Sequence, residues 1–125
     1  MKTIGIVGSR RRNTPVDFFL VYGAFERIAE IDDRIVSGGC PEGGDSFAER
    51  IAKQRQHTIT IHYAKWRKMP KTAGFHRNGL IAEDADVLIA CVAGDRAGGT
   101  EDTIEKFALK CRVHGWDVKE RLILV

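Results

Sequence analysis

Long apolar runs are missing from this chain. No stretch approaches the ~18 consecutive apolar residues that a membrane span requires, and the opening run Met1 to Val7 is too short for a signal peptide. The expectation is a cytoplasmic protein with no membrane partner. Cysteine is scarce: Cys40, Cys91 and Cys111 are odd in number, widely spaced and form no CxxC pair. That excludes a disulfide framework and a zinc site and fits reduced thiols. His57, His62, His76 and His114 show no metal-ligand spacing with one another or with the cysteines, so neither a metal nor a resident cofactor is expected. Charge of one sign is also lacking. Twenty Lys+Arg against 17 Asp+Glu leave a formal +3, too little to mark a dedicated nucleic-acid or membrane binder. Aromatics make up 8% of the residues, and few lie outside positions that read as core. Internal repeats, linkers and low-complexity segments are absent. With 125 residues and 43% hydrophobic content, residues 1–125 read as one domain with one ordinary core.

What is there is a repeating unit of strand, turn and helix. Ile4 to Val7 is an apolar run ending in Gly8-Ser9-Arg10, and Thr14-Pro15 then offers a cap and an opening residue for a helix. Phe18, Val21, Tyr22, Phe25, Ile28 and Ala29 recur at helical spacing. Ile35-Val36 repeat the strand and run into Ser37-Gly38-Gly39, followed by a helix face of Phe47, Ala48, Ile51 and Ala52. His57 to Tyr63 alternates like a strand, and Thr72 to Asp84 reads as a shorter helix. Val87 to Val92 is an apolar strand, Thr100 caps a helix that Gly115 stops, and Leu122 to Val125 supplies a last strand. Strands that are continuously apolar and alternate with helices indicate a parallel sheet covered on both faces. The fold class is therefore α/β, a three-layer, Rossmann-like, doubly wound sheet of about five mainly parallel strands.

Three glycine clusters each follow a strand and precede a helix: Gly8-Ser9-Arg10, Gly38-Gly39 through Gly43-Gly44, and Gly94 through Gly98-Gly99-Thr100. In a doubly wound sheet such loops converge at one edge, where helix N-termini favour an anion. Tight turns alone are the other reading of any single cluster. Gly39 to Ser46 has the GxxxxG-x-Ser spacing of a phosphate loop, but Asp45 stands where the lysine belongs, which excludes an ATPase; no GxGxxG fingerprint is present. Asp45 either accepts hydrogen bonds from ribose hydroxyls or complements the helix dipole. Arg10 and Arg77 are the first choices for phosphate or carboxylate contacts, with Asn78 reading sugar or base, while Arg11 and Arg12 read as a solvated loop. Trp66 stacks on a base or closes the edge of the core. His76, beside Arg77, is the one histidine near the presumed site.

Taken together these residues resemble the SLOG superfamily of Rossmann-like domains, and within it the small YspA-like group. The resemblance rests on Gly8-Ser9-Arg10, Ser37-Gly38-Gly39 with Gly43, Gly44, Asp45 and Ala48, then Trp66, Ala73-Gly74 with Arg77-Asn78, and Gly98-Gly99-Thr100. It covers nearly the whole chain. It implies a site for a nucleotide or nucleotide-derived ligand at the glycine-rich edge, and pairing of two copies as a homodimer through helix faces. The superfamily also contains the lonely-guy phosphoribohydrolases, whose PGGxGTxxE loop Gly98-Gly99-Thr100 is similar to. Here the proline is missing, the spacing is shortened, and Thr103 stands three residues after Thr100 in place of glutamate.

Three functions follow as expectations. Binding or sensing of a nucleotide-like ligand leads, with Gly8, Ser9, Arg10, Gly38, Gly39, Gly43, Gly44, Trp66, Arg77, Asn78, Gly98, Gly99 and Thr100 as its residues. The alternative is a nucleoside-phosphate N-glycosidase using Asp45, Glu101 or Asp102, since cleavage through an oxocarbenium-like species needs a positioned carboxylate. A further alternative is single-stranded nucleic-acid binding, as in the DNA-processing protein A family of related fold, along Arg10 to Arg12 with Lys65, Arg67 and Lys68.

Overall fold

The computed structural model describes residues 1–125. Five strands, β1 (Thr3–Gly8), β2 (Arg34–Ser37), β3 (Ile59–Ile61), β4 (Val87–Cys91) and β5 (Leu122–Leu124), form one sheet in the order β3-β2-β1-β4-β5, and every pairing is parallel. The helices are α1 (Pro15–Ile28), α2 (Gly44–Arg55), α3 (Ala73–Asp84), α4 (Gly99–His114) and α5 (Val118–Arg121).

The alternation of side chains along each strand divides the core in two. Ile4, Ile6, Ile35, Ile89 and Cys91 face Phe18, Val21 and Phe25 of α1 and Phe47, Ala48 and Ile51 of α2. Val7, Val36, Leu88 and Ala90 face Ile81 and Ala82 of α3 and Ile104, Phe107 and Cys111 of α4. Both faces of the central strands are thus covered, which is why those strands read as unbroken apolar runs.

Local chemistry sets most of the boundaries. Thr14 caps α1 in a reciprocal box with Asp17, and Pro15 opens the helix. Gly115 ends α4 at φ 71°, a left-handed position where glycine carries no Cβ penalty.

Three details differ from the sequence reading. Strand β3 is confined to Ile59–Ile61, the three residues that pair with Ile35–Ser37 of the four-residue β2. Helix α5 is a single turn capped by Asp117, too short to produce a periodic pattern. The residue at the N-cap of α4 is Gly98, at φ 116° and two residues before Thr100, so Thr100 lies inside the first turn and no side chain caps the helix.

Candidate functional site

Strand order places the site. From β1 the chain passes to α1 on one face of the sheet, and from β4, the neighbour of β1, it passes to α4 on the other. The loops after β1 and β4 therefore diverge and leave a crevice between them, the switch point of a doubly wound sheet. A cleft of about 350 Å³ lies there, lined by Gly8, Ser9, Arg10 and Arg11 from one loop and Ala97, Gly98, Gly99 and Thr100 from the other. Cys40, Asp45, Arg77, Asn78 and Thr103 complete its polar wall, and Val7 and Ile81 supply apolar surface.

The glycines divide into two kinds. A Cβ on Gly44 would lie 2.3 Å from the Gly8 nitrogen, and one on Gly43, at φ 75°, would lie 2.4 Å from the Ser9 carbonyl oxygen. These two let the start of α2 pack directly on the end of β1. Gly38 gives room to the Arg77 guanidinium and the Asp45 carboxylate, and Gly39 to the Tyr63 ring. Gly98 meets nothing within 4 Å and Gly99 only the Asn78 amide at 4.0 Å. The first and last clusters both line the cleft, and the last does so at the uncapped N-terminus of a 16-residue helix. The first N–H groups of that helix have no intrahelical acceptor.

The loop after β2 is tied by Asp45, which is 7% exposed. Its carboxylate accepts from the Ser37 hydroxyl at 3.0 Å and the Cys40 N–H at 3.1 Å. Burial pushes the Asp45 carboxyl above the ordinary range, against the pull of those donors and of Arg77. Arg77 donates to the Gly38 carbonyl at 2.8 Å and to the Asn78 side-chain oxygen at 3.0 Å. The buried Asn78 amide donates in turn to the Gly99 carbonyl at 3.2 Å and to Asp102 at 3.1 Å, so a chain of hydrogen bonds runs from β2 to the first turn of α4.

The arginines after β1 behave differently from one another. Arg11 makes a two-point pair with Asp95, at 2.9 and 2.6 Å, and donates to the Ala97 carbonyl, bridging the two loops of the cleft. Those bonds hold the Asp95 carboxyl at about 2. Arg12, expected in a solvated loop, is instead half-buried: it pairs with Asp17 at 2.8 Å and donates to the Val92 and Val125 carbonyls, fastening α1 to the end of the sheet. Arg10 is exposed at the cleft, and its side chain enters no hydrogen bond or ion pair within the chain.

Of the carboxylates considered for catalysis, Asp45 lines the cleft, whereas Glu101 and Asp102 do not. Glu101 is held by Arg96 at 2.8 and 2.9 Å, and Asp102 by Lys106 at 2.5 Å and by Asn78. Trp66 is 55% exposed and rests near Gly74, away from both the core and the cleft; His76 is exposed and not in the lining. Sequence reasoning missed Arg11, Cys40 and the buried Thr103 as lining residues. The signal for Thr103 was its place in the buried stripe Thr103-Phe107-Cys111 of α4, where a polar residue stands among apolar ones.

Neither a known family model nor a curated relative matches the chain. A solved structure of similar fold is the one described as the molybdenum cofactor binding protein from the phototrophic bacterium Rippkaea orientalis. It is 19% identical, with a TM-score of 0.66 over 99% of this chain and 88% of that one. At that identity the likeness bears on the fold, and it agrees with the parallel α/β sheet described above. That fold is compatible with the SLOG resemblance. No helix is long and apolar enough to cross a membrane.

Proposed function

We propose that this chain binds a small phosphorylated molecule, a nucleotide or nucleotide-derived ligand, in the cleft at the C-terminal edge of its sheet. The observation that carries this reading is the pairing of an uncapped α4 N-terminus with the unengaged Arg10 guanidinium across one crevice. Together they offer oriented N–H groups and a free cation to one anion. The fold it shares with a protein described as binding the molybdenum cofactor adds that cofactor to the compounds to be tried. Arg10 and Arg77 are the side chains that would hold an anionic part of either, while Arg11, paired with Asp95, ties the two loops of the cleft together.

Binding is favoured over turnover because each candidate carboxylate already has intramolecular partners: Asp45 with Ser37 and Cys40, Glu101 with Arg96, Asp102 with Lys106. A glycosidase needs a carboxylate free to face the reacting carbon. Nucleic-acid binding loses two of its cations, since Arg11 and Arg12 are spent on Asp95 and Asp17.

The test is calorimetric titration and thermal shift with inorganic phosphate, ribose 5-phosphate, nucleoside mono-, di- and triphosphates, ADP-ribose and the molybdenum cofactor. At least one phosphate ester should raise the unfolding midpoint. Arg10→Ala should weaken it about 10- to 100-fold, the range for losing one charge-assisted hydrogen bond. Equal binding by Arg10→Ala would overturn the reading.

A further inference from the structure

Helix α4 turns Thr103, Phe107 and Cys111 toward the sheet, one helical turn apart in succession. Phe107 and Cys111 are fully buried in the core, and Thr103 is 2% exposed. Thr103 is the member of this stripe that reaches the C-terminal edge of the sheet, where it forms part of the cleft wall.

Its hydroxyl makes no hydrogen bond within the chain, although other local side-chain-to-backbone bonds of the same kind, such as Ser46 to the Gly43 carbonyl at 2.8 Å, do form. Yet no fully buried side-chain oxygen or nitrogen in the molecule lacks a partner. The two facts together leave the Thr103 hydroxyl a share of the residue's small exposed surface, and the cleft is the cavity that Thr103 lines. Neighbouring polar groups are already committed: Asn78 to Gly99 and Asp102, and Asp45 to Ser37 and Cys40. A buried hydroxyl left without a partner is costly, so this one is satisfied from the cleft itself.

We propose that Thr103 is a ligand-contacting, specificity-determining residue whose hydroxyl hydrogen-bonds an oxygen of the bound phosphate ester from the floor of the cleft. The assignment rests on the reading of the cleft as the phosphate-ligand site. It narrows the ligand class to molecules that carry a hydrogen-bonding oxygen, of phosphate or sugar, one helical turn below the Gly98–Thr100 entrance. An apolar group at that depth would leave the hydroxyl unpaired and be rejected.

The experiment compares wild type with Thr103→Val, which keeps the shape and removes the hydroxyl, and Thr103→Ser, which keeps the hydroxyl. Each is titrated with inorganic phosphate, ribose 5-phosphate and a nucleoside monophosphate, and each is melted without ligand. Thr103→Val should melt at or above the wild-type midpoint, because no intramolecular bond is lost. It should bind the phosphate ester wild type prefers about tenfold more weakly, the factor that corresponds to one modest hydrogen bond. Thr103→Ser should stay within about threefold of wild type. A fall of several degrees in the ligand-free Thr103→Val midpoint would show a structural partner for the hydroxyl and overturn the assignment. So would unchanged affinity, which would leave the hydroxyl to solvent. Failure of wild type to bind any probe is a separate result: it overturns the cleft reading, and this assignment with it.

Discussion

Asp33 shows how one buried charge is made tolerable. Burial alone would raise its carboxyl, but it accepts from the Lys2 ammonium at 2.6 Å and from the Lys2 and Glu30 backbone N–H groups at 2.9 and 2.8 Å, and the balance is a lowered carboxyl. A carboxylate lowered on folding contributes stability that is complete above its unfolded value near 4 and is lost as pH falls through its folded value. Asp45 has the opposite sign: its raised carboxyl favours the folded state most at low pH. Comparing wild type with Asp33→Asn cancels the Asp45 contribution. The variant should be about 2 kcal/mol less stable at pH 7, the scale of hydrogen bonds to a charged group, and that gap should close as pH falls below the unfolded value near 4 in denaturant titrations. A gap independent of pH would assign the loss to packing. At this scale the sequence is only partly legible. The glycine clusters are visible as residues, but that Gly43 and Gly44 serve backbone packing while Gly98 and Gly99 face a cleft depends on what lies opposite each. Arg12 misleads for the same reason: its acceptors at Val92 and Val125 come from other strand ends.

Among the elements, the helices were most legible where a turn-level signal coincided with apolar spacing, as in Thr14-Pro15 before α1 and Gly115 after α4. The start of α4 escaped because Thr offers a side-chain oxygen to the first-turn N–H groups and Gly offers none, yet the chain uses Gly98 and leaves those groups without a side-chain cap. Helix α1 contains a second departure from preference. Gly23 lies in its interior, with nothing within 4 Å of where a Cβ would stand and with ordinary helical backbone. A glycine there costs the helix roughly 0.5–1 kcal/mol relative to alanine. Gly23→Ala should therefore raise stability by that amount, read as a higher midpoint in urea with unchanged slope. A loss of stability would mean that the position is occupied in solution, and the exposed Val16, Phe19 and Leu20 on the same helix would then mark the contact.

At the scale of the whole molecule, the α/β class and the parallel sheet follow from strands without alternation and helices between them, so they are readable in the sequence. The order β3-β2-β1-β4-β5 was not, because it depends on which face each crossover takes, and it is this order that brings Gly8–Arg11 beside Ala97–Thr100. It also ranks the strands. Central β1 and β4 pair on both sides and have both faces covered, while the edge strands β3 and β5 are three residues each. Amide hydrogen exchange should accordingly be slowest in Ile4–Gly8 and Leu88–Cys91, approaching the global unfolding free energy, and fastest in the two edges. Addition of a phosphate ester that binds should slow exchange at Arg10 and Gly98–Thr100 beyond its uniform effect on global stability, because these residues line the cleft. Selective protection of the loop around Trp66 instead would move the ligand from the switch point to the far side of α3, where an exposed indole, not an arginine and a helix end, would be the recognition element.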